Sequence, residues 1–257
     1  MRVYRCQDSL EGILTAIYRV YEDKSLPEDT YLALHDEPLL FAEDVWVQPD
    51  TGRFLKVRNT LERRFGEQDY RFLCQALASE DREKAQAVYR TVALGLAGRC
   101  RPGHLFDGLT DPCVMRAFSL ARAAGREEHH LRGFLRFQET EDGILYAEIG
   151  PVNNILTFLM PHFADRLATE DFVIHDDRRN LFGVHPAGRQ WYLLSGEEAQ
   201  KPEQALSREE LRYGQLFGRF VSAIAIKERK NLALQRNMLP LRYQKYMVEF
   251  QQKDSRT

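Results

Sequence analysis

Apolar residues recur three and four positions apart in several segments, and this spacing is typical of amphipathic helices. The predicted helices cover residues 10–21, three parts of 54–98, a segment from 112, and residues 155–167, 207–226 and a stretch from about 240. The first helix has Asp8 or Ser9 as its N-cap, and the segment from 112 starts with Asp111-Pro112, a favourable pair for a helix start. The chain is therefore rich in helix.

Between these helices, apolar and polar residues alternate over short runs, which predicts β-strands. The strands are expected near residue 3 and at 44–48, 133–139, 144–149, 172–175, 181–185 and 191–194. Glu141-Asp142-Gly143 forms the turn of the clearest hairpin. Residues 23–38 are interpreted as an acidic loop. The order of elements predicts an α+β fold with a central antiparallel sheet and a helix on one of its faces.

The hydrophobic pattern changes near residue 130 from helical spacing to short alternating runs, which indicates two lobes. We expect a mainly helical N-terminal lobe with one or two short strands over residues 1–130. An antiparallel sheet lobe with C-terminal basic helices is expected over residues 131–257. A length of 257 residues is compatible with two domains of ordinary size.

Composition is that of a globular protein, with 44% hydrophobic and 29% charged residues. No run approaches the ~20 apolar residues of a membrane span, and the N-terminus has no apolar signal core, so we expect a cytoplasmic protein without a membrane partner. Charge is uneven, because residues 1–50 carry 11 acids and 4 Lys/Arg whereas residues 205–253 carry 10 Lys/Arg and 4 acids. This asymmetry favours an anion-binding C-terminal surface, or two ends that lie against each other.

A series of short motifs extends from the predicted hairpin towards the end of the chain. They are Phe134-Leu-Arg-Phe137, Leu145-Tyr146-Ala147, Pro151, Asn154-Ile155-Leu156, Pro161-His162-Phe163-Ala164-Asp165-Arg166, Ile174-His175-Asp176, Arg179, Ile226-Lys-Glu-Arg229-Lys-Asn231, Gln235-Arg236, Pro240 and Arg242-Tyr243. In order and spacing, these motifs resemble a bacterial family of DNA-repair or DNA-metabolism proteins defined by a domain of unknown function. The resemblance covers nearly the whole chain.

The resemblance implies an association with DNA but no particular reaction. Members of that family are typically encoded beside a radical-SAM iron–sulfur protein, and in some proteins the same domain is fused to a uracil-DNA glycosylase. Because the chain ends soon after Arg242-Tyr243, we do not carry glycosylase activity over to it. An iron–sulfur cluster and S-adenosylmethionine are expected in the radical-SAM partner, and no cofactor is expected in this chain.

Two sets of polar residues follow the hairpin, each with a histidine, an aspartate and an arginine. They are His162, Asp165 and Arg166, and His175, Asp176 and Arg179. The first set can share one helix face, and the second ends a strand. If that helix packs on the sheet, we expect both sets to line one cleft. The candidate catalytic residues are then His162, Asp165, His175 and Asp176.

The alternative is a polar seam between helix and sheet, in which an aspartate holds Arg166 and nothing reacts. No serine or cysteine occupies a nucleophile elbow, and no phosphate-binding glycine loop is present, so acyl transfer and nucleotide hydrolysis are not expected. Histidine and cysteine spacings do not match a structural zinc site, and no metal is expected.

Six Lys/Arg and one acid, Glu228, lie between Lys227 and Lys245, which favours phosphate contact. Tyr243 and Tyr246 offer faces for base stacking. The alternative is a solvated helix face with its tyrosines in the core. The candidate nucleic-acid-binding residues are Arg136, Arg166, Arg179, Arg229, Lys230, Arg236, Arg242 and Tyr243.

Three functions follow from these patterns. The first is an accessory protein that binds DNA and works with a radical-SAM enzyme. The second is an enzyme that modifies or excises a DNA base at the two polar sets. The third is a structural subunit that binds only its protein partner.

Overall fold

The computed structural model of the protein describes residues 1–35, 43–98, 100–197, 205–224 and 239–251. The chain divides into two compact units. The first contains Met1–Arg126 with Val152–Asn154, and the second contains Glu127–Pro151 with Ile155–Thr257. Both units combine helices and strands, which confirms the predicted α+β class.

The first unit contains a parallel sheet of three strands in the order β2-β1-β3. Its strands are β1 (Arg2–Cys6), β2 (Thr30–Leu34) and β3 (Glu43–Val47), and a short 3₁₀ turn (Pro27–Asp29) precedes β2. Its helices are α1 (Leu10–Glu22), α2 (Thr51–Phe65), α3 (Glu67–Leu77), α4 (Lys84–Ala97) and the first part of α5 (Pro112–Phe134). Their apolar faces form one core that includes Tyr4, Ile17, Leu61 and Phe65.

The second unit contains a five-stranded sheet in the order β4-β5-β6-β7-β8. Its strands are β4 (Gln138–Glu139), β5 (Leu145–Ile149), β6 (Phe172–Asp176), β7 (Leu181–His185) and β8 (Tyr192–Ser195). Its helices are the end of α5, then α6 (Leu156–Arg166), α7 (Arg208–Ile224), α8 (Leu241–Gln244) and α9 (Val248–Gln251).

Side-chain caps fix where several helices begin. Ser9 Oγ accepts a hydrogen bond from the Gly12 amide at 3.0 Å, and Asp50 caps α2 in the same way through the Arg53 amide at 2.7 Å. Ser207 Oγ accepts from the Glu210 amide at 3.1 Å and starts α7. Each cap satisfies a helix N–H group that has no partner within the helix.

Three features of the sheets differ from the sequence predictions. Residues 30–34 form the buried strand β2, so the prediction of a loop there is wrong. Helix α5 continues to Phe134 and leaves only Gln138–Glu139 for the first strand of the predicted hairpin. The second sheet is mixed, because α6 connects β5 to β6 as a crossover and these two strands are parallel. The other neighbouring pairs are antiparallel, as expected.

Helix α6 lies on one face of the second sheet, and this decides where the candidate residues point. Side chains alternate between the two faces along a strand. Ile174 pairs with Gly183 across β6 and β7, so both belong to one face. A Cβ atom on Gly183 would collide with Met160 of α6, which places α6 over that face. His175, the next residue after Ile174, therefore points to the opposite face.

None of the helices in the described part of the chain combines the length and the apolar content needed to cross a lipid bilayer.

Candidate functional site

His175 is enclosed in a hydrogen-bonded network on the sheet face opposite α6. Its side chain lies almost wholly inside the protein. Nδ1 lies 3.0 Å from the Tyr146 hydroxyl oxygen, and Nε2 lies 3.3 Å from Asn180 Oδ1. The imidazole stacks on Phe182, with ring centroids 4.2 Å apart and planes inclined by 8°. Both ring nitrogens therefore have partners within the fold.

The hydrogen-bond partners of His175 determine which of its nitrogens carries the proton. Burial, followed by the negative charges of Glu148 and Asp177, raises the pKa of Tyr146 above its ordinary value. The phenol therefore keeps its proton at neutral pH. Asn180 Oδ1 can only accept a hydrogen bond, so the Nε2–H group donates to it, and Nδ1 of the neutral imidazole then accepts from the Tyr146 hydroxyl. In this tautomer both nitrogens are engaged by protein groups, and these contacts hold the imidazole on the sheet.

We expect NMR to find His175 with its proton on Nε2, because Nδ1 is the acceptor for Tyr146. Tyr146→Phe removes that donor and should lower the free energy of unfolding by about 1–2 kcal/mol. Tyr192→Phe is the matched control, since Tyr192 is 45% exposed, and it should change neither the tautomer nor the stability. A protonated Nδ1 in the wild-type protein would contradict this assignment.

Asp176 and Arg179 form an ion pair at the end of β6. Asp176 is fully buried, and its Oδ2 accepts a hydrogen bond from Arg179 Nη1 at 3.0 Å. Its Oδ1 accepts the backbone amide of Arg178 at 3.1 Å. Arg179 Nη1 also donates to the carbonyl of Pro151 at 3.1 Å. The pair thus joins the loop after β6 to the loop after the neighbouring strand β5.

The largest influence on the pKa of Asp176 is the loss of hydration that comes with burial. Burial raises the pKa of Asp176, and the opposing effect of the Arg179 charge is smaller. A buried pair of this kind adds little net stability compared with an apolar replacement, but removing one partner leaves the other without compensation. The pair therefore acts as a fixed connection within the second unit.

The polar residues of α6 lie on the other side of the second sheet from the His175 network. His162 is half-buried with its ring edge against Phe163, at a centroid distance of 5.0 Å. Asp165 and Arg166 are exposed. Because α6 covers the Ile174 face, these side chains do not share a surface with the His175 network.

The expected single cleft lined by both polar sets is therefore replaced by separate arrangements. The structure brings Asp176 together with Arg179, and His175 together with Tyr146 and Asn180. Strand alternation separates the α6 set from His175, whereas Asp176, two residues after Ile174, belongs to the sheet face that α6 covers.

Tyr243 is packed inside the second unit. Its side chain is 1% exposed, and its hydroxyl donates to Glu127 Oε1 at 3.1 Å. The Arg242 guanidinium lies 4.8 Å from the centre of the Tyr243 ring, and its Nη2 lies 3.5 Å from Glu127 Oε1. Burial and then the Glu127 charge raise the pKa of Tyr243 to about 12. The ring expected to stack on a base is thus part of the interior.

The remaining candidate cations divide into two groups. Arg136 pairs with the mostly buried Glu249 at 3.1 Å and donates to the Gly133 carbonyl at 2.9 Å. Arg229, Lys230 and Arg236 lie outside the described residues, so their expected phosphate contacts stay predictions.

The sequence patterns did not indicate the partners that hold the candidate residues, nor the strongly basic helix α2. Tyr146 and Asn180 stand 29 and five residues from His175, and only the strand pairing brings the tyrosine beside it. Helix α2 carries five Lys/Arg and a single acid, Glu62. Counting charge over the length of each predicted helix would have found it.

Among the described residues, no group of three or more histidine, cysteine, aspartate or glutamate side chains is arranged to hold a metal ion.

Comparison with known proteins places the chain in a family. A family model described as a domain of unknown function, DUF4130, matches residues 82–249. No curated protein matches the chain. The matched range contains the His175 network, the Asp176–Arg179 pair and Tyr243, and it covers more than half of the 257 residues. The chain therefore belongs to the family of proteins that carry the DUF4130 domain of unknown function.

Proposed function

We propose that this chain is a cytoplasmic accessory protein of bacterial DNA repair or metabolism, which binds DNA and acts together with a radical-SAM iron–sulfur protein. The motifs of the second half of the chain support this proposal by their resemblance to proteins of that kind. The observation that carries the DNA-binding part is the charge of α2 in the first unit.

Helix α2 offers a positively charged surface. Two of its basic residues have acidic partners, since Arg53 lies 3.2 Å from Glu22 and Arg58 lies 2.9 Å from Glu62. Lys56, Arg63 and Arg64 are exposed, and no carboxylate of the described residues lies within ion-pair distance of them. Exposed cations of this kind attract phosphate groups without regard to base sequence.

In the second unit, Arg166 supports the same interpretation more weakly. It is exposed at the end of α6, and no ion pair with a described residue engages it. Arg242 is about half exposed but shares its charge with Glu127, and Arg136 and Arg179 have acidic partners of their own. We therefore expect Arg166 to contribute more to phosphate binding than the other candidate arginines of this unit.

An accessory role fits the candidate residues better than catalysis in this chain. His175 has both nitrogens engaged, and Asp176 is fully buried against Arg179. Side chains used in this way position strands and loops, whereas a general acid or base needs an atom that can reach the substrate. The proposal assigns the chemistry, with its cluster and S-adenosylmethionine, to the partner.

The double variant Arg63→Glu with Arg64→Glu tests the DNA surface on α2. We expect its affinity for a fluorescent single-stranded oligonucleotide to fall by at least about tenfold at low salt, because two phosphate contacts are lost and two repulsions are added. The melting temperature should stay near that of the wild type, since both side chains are exposed. Fluorescence anisotropy measures the affinity.

The matched control is Arg82→Glu with Arg101→Glu, which changes the net charge equally at two exposed positions outside α2. It should change the affinity by less than about threefold, as expected for long-range screened charge. An equal loss in the control would show a general charge effect, and an unchanged affinity of the α2 variant would remove α2 from the interface.

The partner is tested by expressing the chain anaerobically with a radical-SAM protein from the same genome. We expect the two proteins to elute together in size-exclusion chromatography, with the iron–sulfur absorbance in the same fraction. Separate elution at micromolar concentrations would contradict a stable complex.

A further inference from the structure

The first unit contains an apolar cavity between α1, α2 and α4. Its volume is about 230 Å³. The walls consist of aliphatic side chains, and the mouth carries two tyrosines, a lysine and a threonine. The lining residues are Ile17, Tyr18, Tyr21, Lys56, Val57, Thr60, Leu61, Val92 and Leu96. Lys56 is the one lining residue that also belongs to the proposed DNA-binding surface.

The floor of the cavity belongs to the core of the unit. Ile17, Leu61 and Val92 are fully buried, and Val57 is 8% exposed. These residues lie on α1, α2 and α4 and belong to the core of the unit, so the floor is a preformed surface. An apolar cavity of about 150 Å³ is known to hold benzene. This cavity therefore has room for one ring or one branched aliphatic group.

The mouth of the cavity is positively charged. Lys56 Nζ lies 5.5 Å from the centre of the Tyr18 ring. The Arg53 guanidinium, from the preceding turn of α2, lies 5.6 Å from the same centre. Arg53 is neutralised by Glu22 at 3.2 Å. Lys56 has no carboxylate of the described residues within ion-pair distance, so its charge remains available at the mouth.

Tyr21 adds no negative charge to this mouth. Tyr21 is 46% exposed, yet burial of its hydroxyl raises the pKa of Tyr21 to about 12. It stays neutral at physiological pH. A ligand with an apolar body and an anionic end would thus meet aliphatic walls, two aromatic edges and one cation.

A nucleobase fits this lining poorly. The edges of a base carry several donors and acceptors, and each one buried without a partner costs free energy. Among the described lining residues, the polar side-chain groups are the Lys56 ammonium and the hydroxyls of Tyr18, Tyr21 and Thr60. The Thr60 hydroxyl already donates to the Lys56 carbonyl at 2.7 Å. The lining favours a ring without polar edges.

We propose that the cavity between α1, α2 and α4 binds a small molecule that consists of one aromatic or branched aliphatic group joined to a carboxylate or phosphate. The apolar group occupies the cavity and the anion lies beside Lys56. This inference goes beyond the DNA-binding proposal, because it concerns a different ligand and is tested without DNA; Lys56 is the one residue that both proposals use.

Ligand-observed NMR on the full chain tests the site, with phenyl phosphate as the anionic probe and benzyl alcohol as its uncharged counterpart. Phenyl phosphate should bind saturably, and inorganic phosphate should not displace it. Lys56→Glu should weaken phenyl phosphate binding about fivefold, as expected for reversing one charge near the protein surface. The same variant should change benzyl alcohol binding by less than about twofold.

Two further variants test whether the probes bind in the cavity or elsewhere on the protein. Thr60→Trp places a ring over the mouth and should abolish binding of both probes. Arg82→Glu is the matched charge control, since Arg82 is exposed and does not line the cavity. It should leave both affinities unchanged. If Thr60→Trp melts well below the wild type, the smaller Thr60→Phe replaces it with the same expected result.

Three results would overturn the proposal. The first is the absence of saturable binding by either probe. The second is undiminished binding in a folded Thr60 variant, which would place the probes elsewhere. The third is displacement of phenyl phosphate by thymidine monophosphate at lower concentration than by unlabelled phenyl phosphate, which would make a nucleotide the ligand.

Discussion

Replacing Asp176 with alanine is expected to lower the free energy of unfolding by about 3–5 kcal/mol. The side chain is fully buried and accepts hydrogen bonds from the Arg178 amide and from Arg179 Nη1. Truncation leaves the Arg179 guanidinium, which also holds the Pro151 carbonyl, without its counter-charge. Urea unfolding followed by circular dichroism measures the change.

Asp176→Asn is the matched variant, because it keeps the volume and one acceptor oxygen while removing the charge. We expect it to lose less than about half of what the alanine variant loses. If Asp176→Ala unfolds at the same urea concentration as the wild type, the buried pair does not support the fold as described.

The pH dependence of the same pair has a definite sign. Burial raises the pKa of Asp176 above its ordinary value of 3.8, so the folded protein binds this proton more tightly than the unfolded chain. The associated stability is present below about 3.8 and is lost as the pH rises through the raised pKa. Wild-type stability relative to Asp176→Asn should therefore decrease as the pH rises out of the acid range.

Replacing Tyr243 with alanine should destabilise the second unit by about 3–5 kcal/mol, the range for deleting a buried aromatic side chain. The ring is 1% exposed and packs beside Phe134 at a centroid distance of 6.0 Å. Tyr243→Phe keeps the ring and loses only the hydrogen bonds to Glu127 and Arg242, so about 1–2 kcal/mol is expected. Thermal and urea unfolding measure both variants.

Titration of Tyr243 should also make the stability depend on pH in alkaline solution. Its folded-state pKa of about 12 exceeds the ordinary value of 10.0. Its contribution to stability is complete below pH 10 and is lost as the pH rises towards about 12. Tyr243→Phe should lack this component. A Tyr243→Ala variant that keeps wild-type stability but loses most of its DNA affinity would contradict the interior position and favour base stacking.

Local patterns were sufficient to predict most helices and strands. Helical spacing with a polar cap located α1, and alternation located β6 and β7, because these signals depend only on neighbouring residues. Strand β2 was missed because three acids shortly before it, Asp23, Glu28 and Asp29, suggested a loop. Its apolar run Leu32-Ala33-Leu34 becomes a strand through pairing with β1, a contact distant in sequence.

The candidate site was less predictable, because its geometry depends on which strands are neighbours. The antiparallel sheet expected from the sequence gave no reason to place β5 beside β6. The crossover through α6 makes them parallel, sets Glu148 opposite His175, and brings Tyr146 within hydrogen-bonding distance of the imidazole. Buried polar residues acquire their partners through such pairings, and sequence spacing alone does not specify them.

Charge counts over segments of the sequence were also a poor guide to the charge of the protein's surfaces. The window over residues 1–50 ends before α2 begins, so its acidic balance hid the basic helix that follows. In the C-terminal region the positive count was correct, but Arg242 has the acidic partner Glu127. Arg136, which precedes this region, likewise pairs with Glu249. A cation that already has a buried acidic partner contributes less to phosphate binding.

The central claim is that the chain binds DNA through exposed cations, and the dependence of affinity on salt tests it most directly. Anisotropy titrations of the wild-type chain with single-stranded and duplex oligonucleotides, at KCl concentrations from about 50 to about 200 mM, give the dissociation constant at each salt. We predict a linear decrease of log affinity with log salt concentration, with a slope that corresponds to several phosphate contacts. Absence of binding at the lowest salt, or an affinity that does not change with salt, would contradict the account.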